Sequence, residues 1–141
     1  MLSCNGIVLN YDFVMYNKSI SKIDIIQNIA KELPVPPVMS YFLCDCWYVS
    51  EKIINTFAGK GYHTIGALKT NRMLYPFGIK KKLNEFAALL SVTHSDFHLV
   101  TVKNQKYYVY RYEGKLNGIE NAVVLLLSLI HISEPTRLQL I

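Results

Sequence analysis

Tyr41-Phe42-Leu43-Cys44-Asp45-Cys46-Trp47-Tyr48 is a short apolar run with one carboxylate inside it, bounded by Pro36-Pro37 before and Ser50 after. A run of this length between turn-forming residues has the pattern of a buried strand. An ionised acid is costly to bury unless its charge is compensated, and a divalent metal ion is one compensation. The other reading puts Asp45 at the exposed carboxyl end of the strand, where water solvates it. Both readings make this strand the centre of the fold.

The flanks define its neighbours. Ser50 is an N-cap, Val49 and Ile54 are placed for a hydrophobic staple, and Ile53, Ile54, Phe57 and Ala58 form one apolar face. Gly59 and Gly61 stop that helix, and Tyr62 to Leu68 reads as a second strand. Strand, helix and strand with short links predict a parallel βαβ unit with a right-handed crossover. Ligands of such sheets gather at the carboxyl ends of the strands. Asp45 and Lys69 both lie near those ends and can face one site. Upstream, Ser21 with Asp24 three residues on is a capping-box pattern, and Ile26, Ile29, Ala30 and Leu33 recur at helical spacing until Pro34. Pro34, Pro36 and Pro37 make a stiff lead into the central strand. Ile7-Val8-Leu9 is a short strand, Asn10 to Lys18 is irregular, and the chain opens as though in the middle of a domain.

After Arg72 the pattern changes. Pro76 and Gly78 break the chain, and Lys80 to Leu90 reads as a helix with Leu83, Phe86, Ala87 and Leu90 inward. Phe97 to Val102 and Tyr107 to Tyr112 alternate as an antiparallel hairpin turning through Lys103 to Lys106. Asn117-Gly118 is a further turn, followed by a last apolar strand, Ala122 to Leu126. There is no internal repeat.

With 141 residues the chain is one domain's worth, and 51% hydrophobic against 18% charged residues excludes a disordered or purely solvating chain. The net charge of +5 and pI near 9.1 permit a polyanionic partner without requiring one. The three cysteines lack a second pair at zinc spacing, so Cys44 and Cys46, one residue apart on one strand face, read as small core hydrophobes in a reducing compartment. Met1 to Gly6 lacks a signal-peptide pattern, and the apolar run Ala122 to Ile132 is too short to span a bilayer. These features predict a soluble cytoplasmic protein that is not membrane-bound.

Leu43-Cys44-Asp45-Cys46-Trp47-Tyr48, followed by Gly66-Ala67-Leu68-Lys69-Thr70-Asn71-Arg72, resembles the cut-and-paste DDE transposases of bacterial insertion sequences. In that family an Asp-x-Trp-Tyr element carries the second catalytic aspartate, and a strand ending in Leu-Lys-x-Asn-Arg follows. The resemblance covers roughly Ile7 to Val124. It implies a partial RNase H-like α/β fold: a catalytic core over 1–72 with the parallel βαβ unit, an inserted helix and β-hairpin region over 73–120, and a last core strand over 121–126. It also implies magnesium-dependent cleavage and transfer of DNA strands. The expected cofactor is a pair of Mg2+ ions held by three carboxylates, with no small-molecule cofactor. The expected partners are the DNA of transposon ends and target, and a second subunit in the full-length protein.

Asp45 maps onto the second catalytic, metal-binding acid. The family motif for the first acid is missing. Of the upstream aspartates, Asp24 is explained as a helix cap and Asp12 lies in an aromatic loop. The third acid is a glutamate on a helix after the last strand; Glu120 precedes that strand. Glu134 falls in the tail, where Leu127 to Arg137 resembles a translated sequencing-library adapter, so residues 127–141 are expected to be artefactual. One carboxylate cannot clamp two metals, so the chain as given is predicted to lack strand-cleaving activity. A non-catalytic basic α/β module binding nucleic acid or protein, and an RNase H-like nuclease that is not a transposase, are the alternatives.

Lys69, Asn71 and Arg72 are candidate phosphate contacts at a strand end, against a solvated turn. Lys80, Lys81 and Lys82 open a predicted helix, where the dipole disfavours them; DNA contact and a solvated basic face are the two explanations. Trp47 is either a base-stacking ring near the site or core packing under the helix, the latter being the ordinary outcome. Tyr108, Tyr110 and Tyr112 share a hairpin face, as packing against the neighbouring helix or as a stacking surface. His63 reads as a sheet-face residue, and His94 and His98 have no metal-ligand spacing.

Overall fold

The computed structural model describes residues 1–90, 96–129 and 138–140, with the backbone alone for 129 and 138–140. His94, Glu134 and most of the adapter-like tail therefore lie outside the described residues. The chain is a mixed α/β protein with a parallel strand pair, antiparallel sheets and three α-helices among the described residues.

It opens with a hairpin, β1 (Leu2–Cys4) and β2 (Ile7–Leu9), turned by Asn5 and Gly6, both at positive φ. Asn-Gly suits the primed turn that a two-residue hairpin needs. The first of these strands, too short and polar to show a strand pattern in the sequence, is defined by its pairing with the second.

The central unit follows the βαβ expectation. Helix α1 (Lys22–Glu32) starts at Ser21, whose Oγ accepts the Asp24 N–H. Strand β3 (Ser40–Cys44) leads to α2 (Glu51–Gly59), capped by Ser50, and then β4 (Tyr62–Gly66). β3 and β4 pair in parallel from Ser40↔Tyr62 to Cys44↔Gly66. β4 stops at Gly66 because its partner strand stops at Cys44; Leu68 instead packs against the core. Ala30, Leu33, Ile53 and Phe57 form the core between α1 and α2, with Phe42 stacked on Phe57 at 3.6 Å between ring centroids.

Strand β5 (Met73–Leu74) pairs with β6 (Lys81–Lys82), with a 3-10 turn at Pro76–Gly78 between them, and α3 (Leu83–Leu89) follows. Lys80, Lys81 and Lys82 thus do not open a helix. Pairing of Met73 with Lys82 and of Leu74 with Lys81 holds the last two lysines extended, and the Lys82 N–H donates to Glu85 Oε2 at 3.2 Å. The helix begins after the lysines with an acid in its first turn, which removes the conflict with the dipole.

Strands β7 (Phe97–Val102), β8 (Gln105–Leu116) and β9 (Ile119–Leu129) form an antiparallel meander, with β10 (Leu138–Leu140) on the far side of β9. The first turn is tighter than expected: Lys103 and Asn104, both at positive φ, join Val102 to Gln105. Ala122 to Leu126 lies inside the longer β9 and pairs with β8, so it continues the hairpin sheet and not the parallel pair. Tyr110 and Tyr112 pack edge-on against Phe86 of α3. Leu74, Leu83, Phe86, Tyr112, Leu116, Val124 and Leu126 form the second core, which Cys44, Val49 and Leu68 join from the βαβ unit. The two sheets therefore meet where β3 and β4 end.

Candidate functional site

That junction carries the residues singled out from sequence. Asp45 is the first residue beyond β3 and is exposed. It starts a tight turn in which Tyr48 N–H donates to Asp45 O at 3.0 Å and Trp47 N–H donates to Asp45 Oδ1 at 2.9 Å. The bond from Trp47, then the Cys46 thiol, then the charge of Lys69 hold the Asp45 carboxyl below its ordinary pKa. Asp45 is accordingly an anion at neutral pH. No ion pair engages it among the described residues.

Both neighbouring thiols are pushed up. For Cys44 burial comes first and the Asp45 charge second; for Cys46 the hydrogen bond to Asp45 comes first. Cys44 packs against the second core, as expected. Cys46 differs from expectation: it lies in the turn, off the strand face, with its thiol beside the Asp45 carboxylate, whose charged form it favours. Nothing in its spacing distinguishes this role from that of a small apolar residue.

Trp47 also departs from expectation. It does not pack under α2 but stands 70% exposed, because the turn carries it past the strand and Val49 fills the buried position instead. The Lys69 ammonium lies over its ring, 3.6 Å from the centroid. Such a cation–π contact is worth about 0.5–1 kcal/mol at an exposed site. It joins the ends of the two sequence motifs, which the chain alone shows only as separate stretches.

Lys69 is held by its own turn. Arg72 N–H donates to Lys69 O at 2.9 Å, while Asn84 N–H donates to Thr70 O at 2.9 Å and Leu83 N–H to Arg72 O at 2.8 Å. The first turn of α3 thus satisfies its free N–H groups on the Thr70–Arg72 segment and fixes it. This places the lysines of β6 beside that segment. Lys69, Asn71, Lys80 and Lys82 are exposed, whereas Lys81 and Arg72 are half-buried, with Arg72 Nε buried and unpartnered among the described residues.

The other acids stay away from Asp45 in role. Asp12 is exposed and accepts the Phe13 N–H at 2.7 Å. Asp24 lies in the first turn of α1, where it accepts from the Ser21 hydroxyl of the cap and pairs with Lys52 at 3.1 Å; the cap itself is Ser21. Glu120 pairs with Lys115 at 3.2 Å. His63 lies on β4 beside Tyr41, with ring centroids 5.8 Å apart.

Among the described residues no three His, Cys, Asp or Glu side chains come together as a metal-holding group. One carboxylate flanked by two thiols is a poor donor set for magnesium, which takes hard oxygen ligands. The described residues do not by themselves fit a two-magnesium centre. Among the described residues no helix is long and apolar enough to cross a membrane. No protein family, curated protein or solved structure matches the chain.

Proposed function

We propose that this chain is part of the RNase H-like catalytic domain of a DDE-type DNA transposase acting in the cytoplasm, and that Asp45 is the acid it contributes to the catalytic centre. The observation that carries the reading is the contact between the two family-like motifs. Asp45 and Lys69 follow the carboxyl ends of two parallel strands, and Lys69 reaches across to Trp47 of the Asp-x-Trp-Tyr element. An ionised carboxylate at that edge, without an ion pair among the described residues, is what a strand-cleaving site requires. In the family that chemistry is supplied by divalent cations held on three carboxylates, of which Asp45 would be one. Here Lys69, Asn71, Arg72 and the lysines Lys80, Lys81 and Lys82 serve to hold DNA phosphates beside the carboxylate.

Strand cleavage needs acids that the described residues do not bring to Asp45. The polypeptide as given therefore binds DNA without cutting it. The same observation favours a second reading, a basic α/β module whose whole function is to bind nucleic acid.

The nucleotide sequence flanking the coding segment separates the two. Transposase predicts an aspartate-bearing strand upstream and, downstream, a helix with glutamate, arginine and lysine; a binding module predicts neither. In a protein carrying all three acids, Asp45→Ala is expected to abolish strand transfer with the circular dichroism spectrum retained. Undiminished transfer would remove the assignment.

A further inference from the structure

Trp47 is the one tryptophan in the chain, and it is spent on the surface. A ring left 70% exposed forgoes the apolar burial that ordinarily rewards tryptophan. It is nevertheless fixed. Its own N–H is tied to Asp45 Oδ1, its turn is closed by Tyr48, and one ring face is covered by Lys69 at 3.6 Å. Among the described residues no other ring or cation lies against it. A flat aromatic face open to solvent, backed by an ammonium and followed by the cations of the Lys69–Arg72 turn, matches a nucleotide. A base has a face to stack, and the adjoining phosphate has the charge to meet Lys69. A neutral sugar would also stack on tryptophan, but the cations around this ring would find no anion on it.

We propose that the open face of Trp47 is a stacking platform for an unpaired nucleobase, with Lys69 holding the phosphate next to it. The inference rests on the DNA reading above and deepens it: the ligand at this edge is single-stranded, or a duplex end with a base displaced. Duplex of regular geometry keeps its bases stacked on one another and offers none to Trp47.

Because Trp47 is the sole tryptophan, its emission reports on the platform directly. The test titrates the 141-residue chain at low salt with a short oligothymidylate, with an abasic strand of the same phosphate count, and with a neutral oligosaccharide. Fluorescence anisotropy of labelled oligothymidylate, abasic strand and blunt duplex is followed in parallel, and it alone reads the variants that lack Trp47. The expected result is saturable quenching by oligothymidylate and much weaker binding of the abasic strand. Trp47→Ala should weaken oligothymidylate binding by about 5- to 150-fold, the usual value of one base–aromatic stack, and weaken blunt-duplex binding far less. Trp47→Phe should recover part of the loss. Lys69→Ala should weaken both strands and lower the salt dependence by about one phosphate contact.

Equal binding of abasic and base-bearing strands, or a Trp47→Ala variant that binds both as before, overturns the platform while duplex binding leaves the DNA reading standing. Quenching by the oligosaccharide in place of the oligonucleotide overturns it in favour of a sugar. Failure of strands and duplex alike overturns the platform together with the DNA reading.

Discussion

Replacing Gly66 with alanine puts the junction of the two sheets to a test of sign. Glycine in a strand interior is ordinarily worse than alanine by about 0.5–1 kcal/mol, so propensity alone predicts that Gly66→Ala stabilises. The structure predicts the reverse. A Cβ on Gly66 would overlap Val49 Cγ2, lie 2.9 Å from Cys44 Sγ and come within 3.4 Å of Cys44 O. Val49 is 8% exposed and belongs to the second core, so it has little room to yield. Overpacking of this kind costs about 1–3 kcal/mol. Against the propensity gain, net destabilisation of about 1–2 kcal/mol is expected. Urea unfolding gives the number, with an unchanged slope showing that the midpoint shift is stability.

The double-mutant cycle with Val49→Ala identifies the cause. Val49→Ala alone should destabilise by removing buried methyl groups. In that background Gly66→Ala has the principal overlap relieved and should turn neutral or stabilising, a coupling of about 1–2 kcal/mol. A stabilising Gly66→Ala in the parent chain refutes the close approach of β3 and β4 at their carboxyl ends. So does a cost that is the same with and without Val49. Because Cys44 precedes Asp45, the same approach also sets where the carboxylate stands.

Three further outcomes follow from single contacts. Phe57→Ala removes a ring that is 2% exposed and stacked on Phe42, and should cost about 3–5 kcal/mol in thermal or urea unfolding; a loss under 1 kcal/mol would contradict the core between α1 and α2. Tyr112→Phe deletes a hydroxyl that donates to Lys115 O at 2.8 Å and accepts from Tyr75 N–H at 3.2 Å, so about 1–3 kcal/mol should be lost without change in the unfolding slope. Asp24 is held below its ordinary 3.8 by the Ser21 hydroxyl first and Lys52 second. A depressed folded pKa contributes stability that is full above 3.8 and lost as the pH falls through the folded value. The stability gap between the parent chain and Asp24→Asn, read from urea midpoints, should therefore be constant near neutrality and close only in acid below that point. A gap that closes near neutral pH would refute the assignment.

Whatever depends on near neighbours was legible in the residues. Ser21 and Ser50 start their helices because a hydroxyl reaches N–H groups two or three residues on. The strand–helix–strand order carried the parallel pairing, and with it the position of Asp45 at a carboxyl end. Alternation in β7 and β8 placed Tyr110 and Tyr112 on the face that meets α3.

Only tertiary contact decided the rest. Lys81 and Lys82 are extended because Met73 and Leu74 pair with them, and a helical pattern downstream cannot reveal a strand partner upstream. Ala122 to Leu126 belongs to β9, which pairs along β8 from Leu116↔Ile119 to Tyr107↔Leu129, a length of pairing that the short apolar run alone does not show. Trp47 is exposed because the turn after β3 carries it past the strand while Val49 takes the buried place in the second core, and Lys69 meets its ring because α3 fixes the turn that carries the lysine. Caps, turns and periodicity act over a few residues and can be read along the chain. Which buried position a side chain wins is a competition among residues distant in sequence, and only the folded packing resolves it.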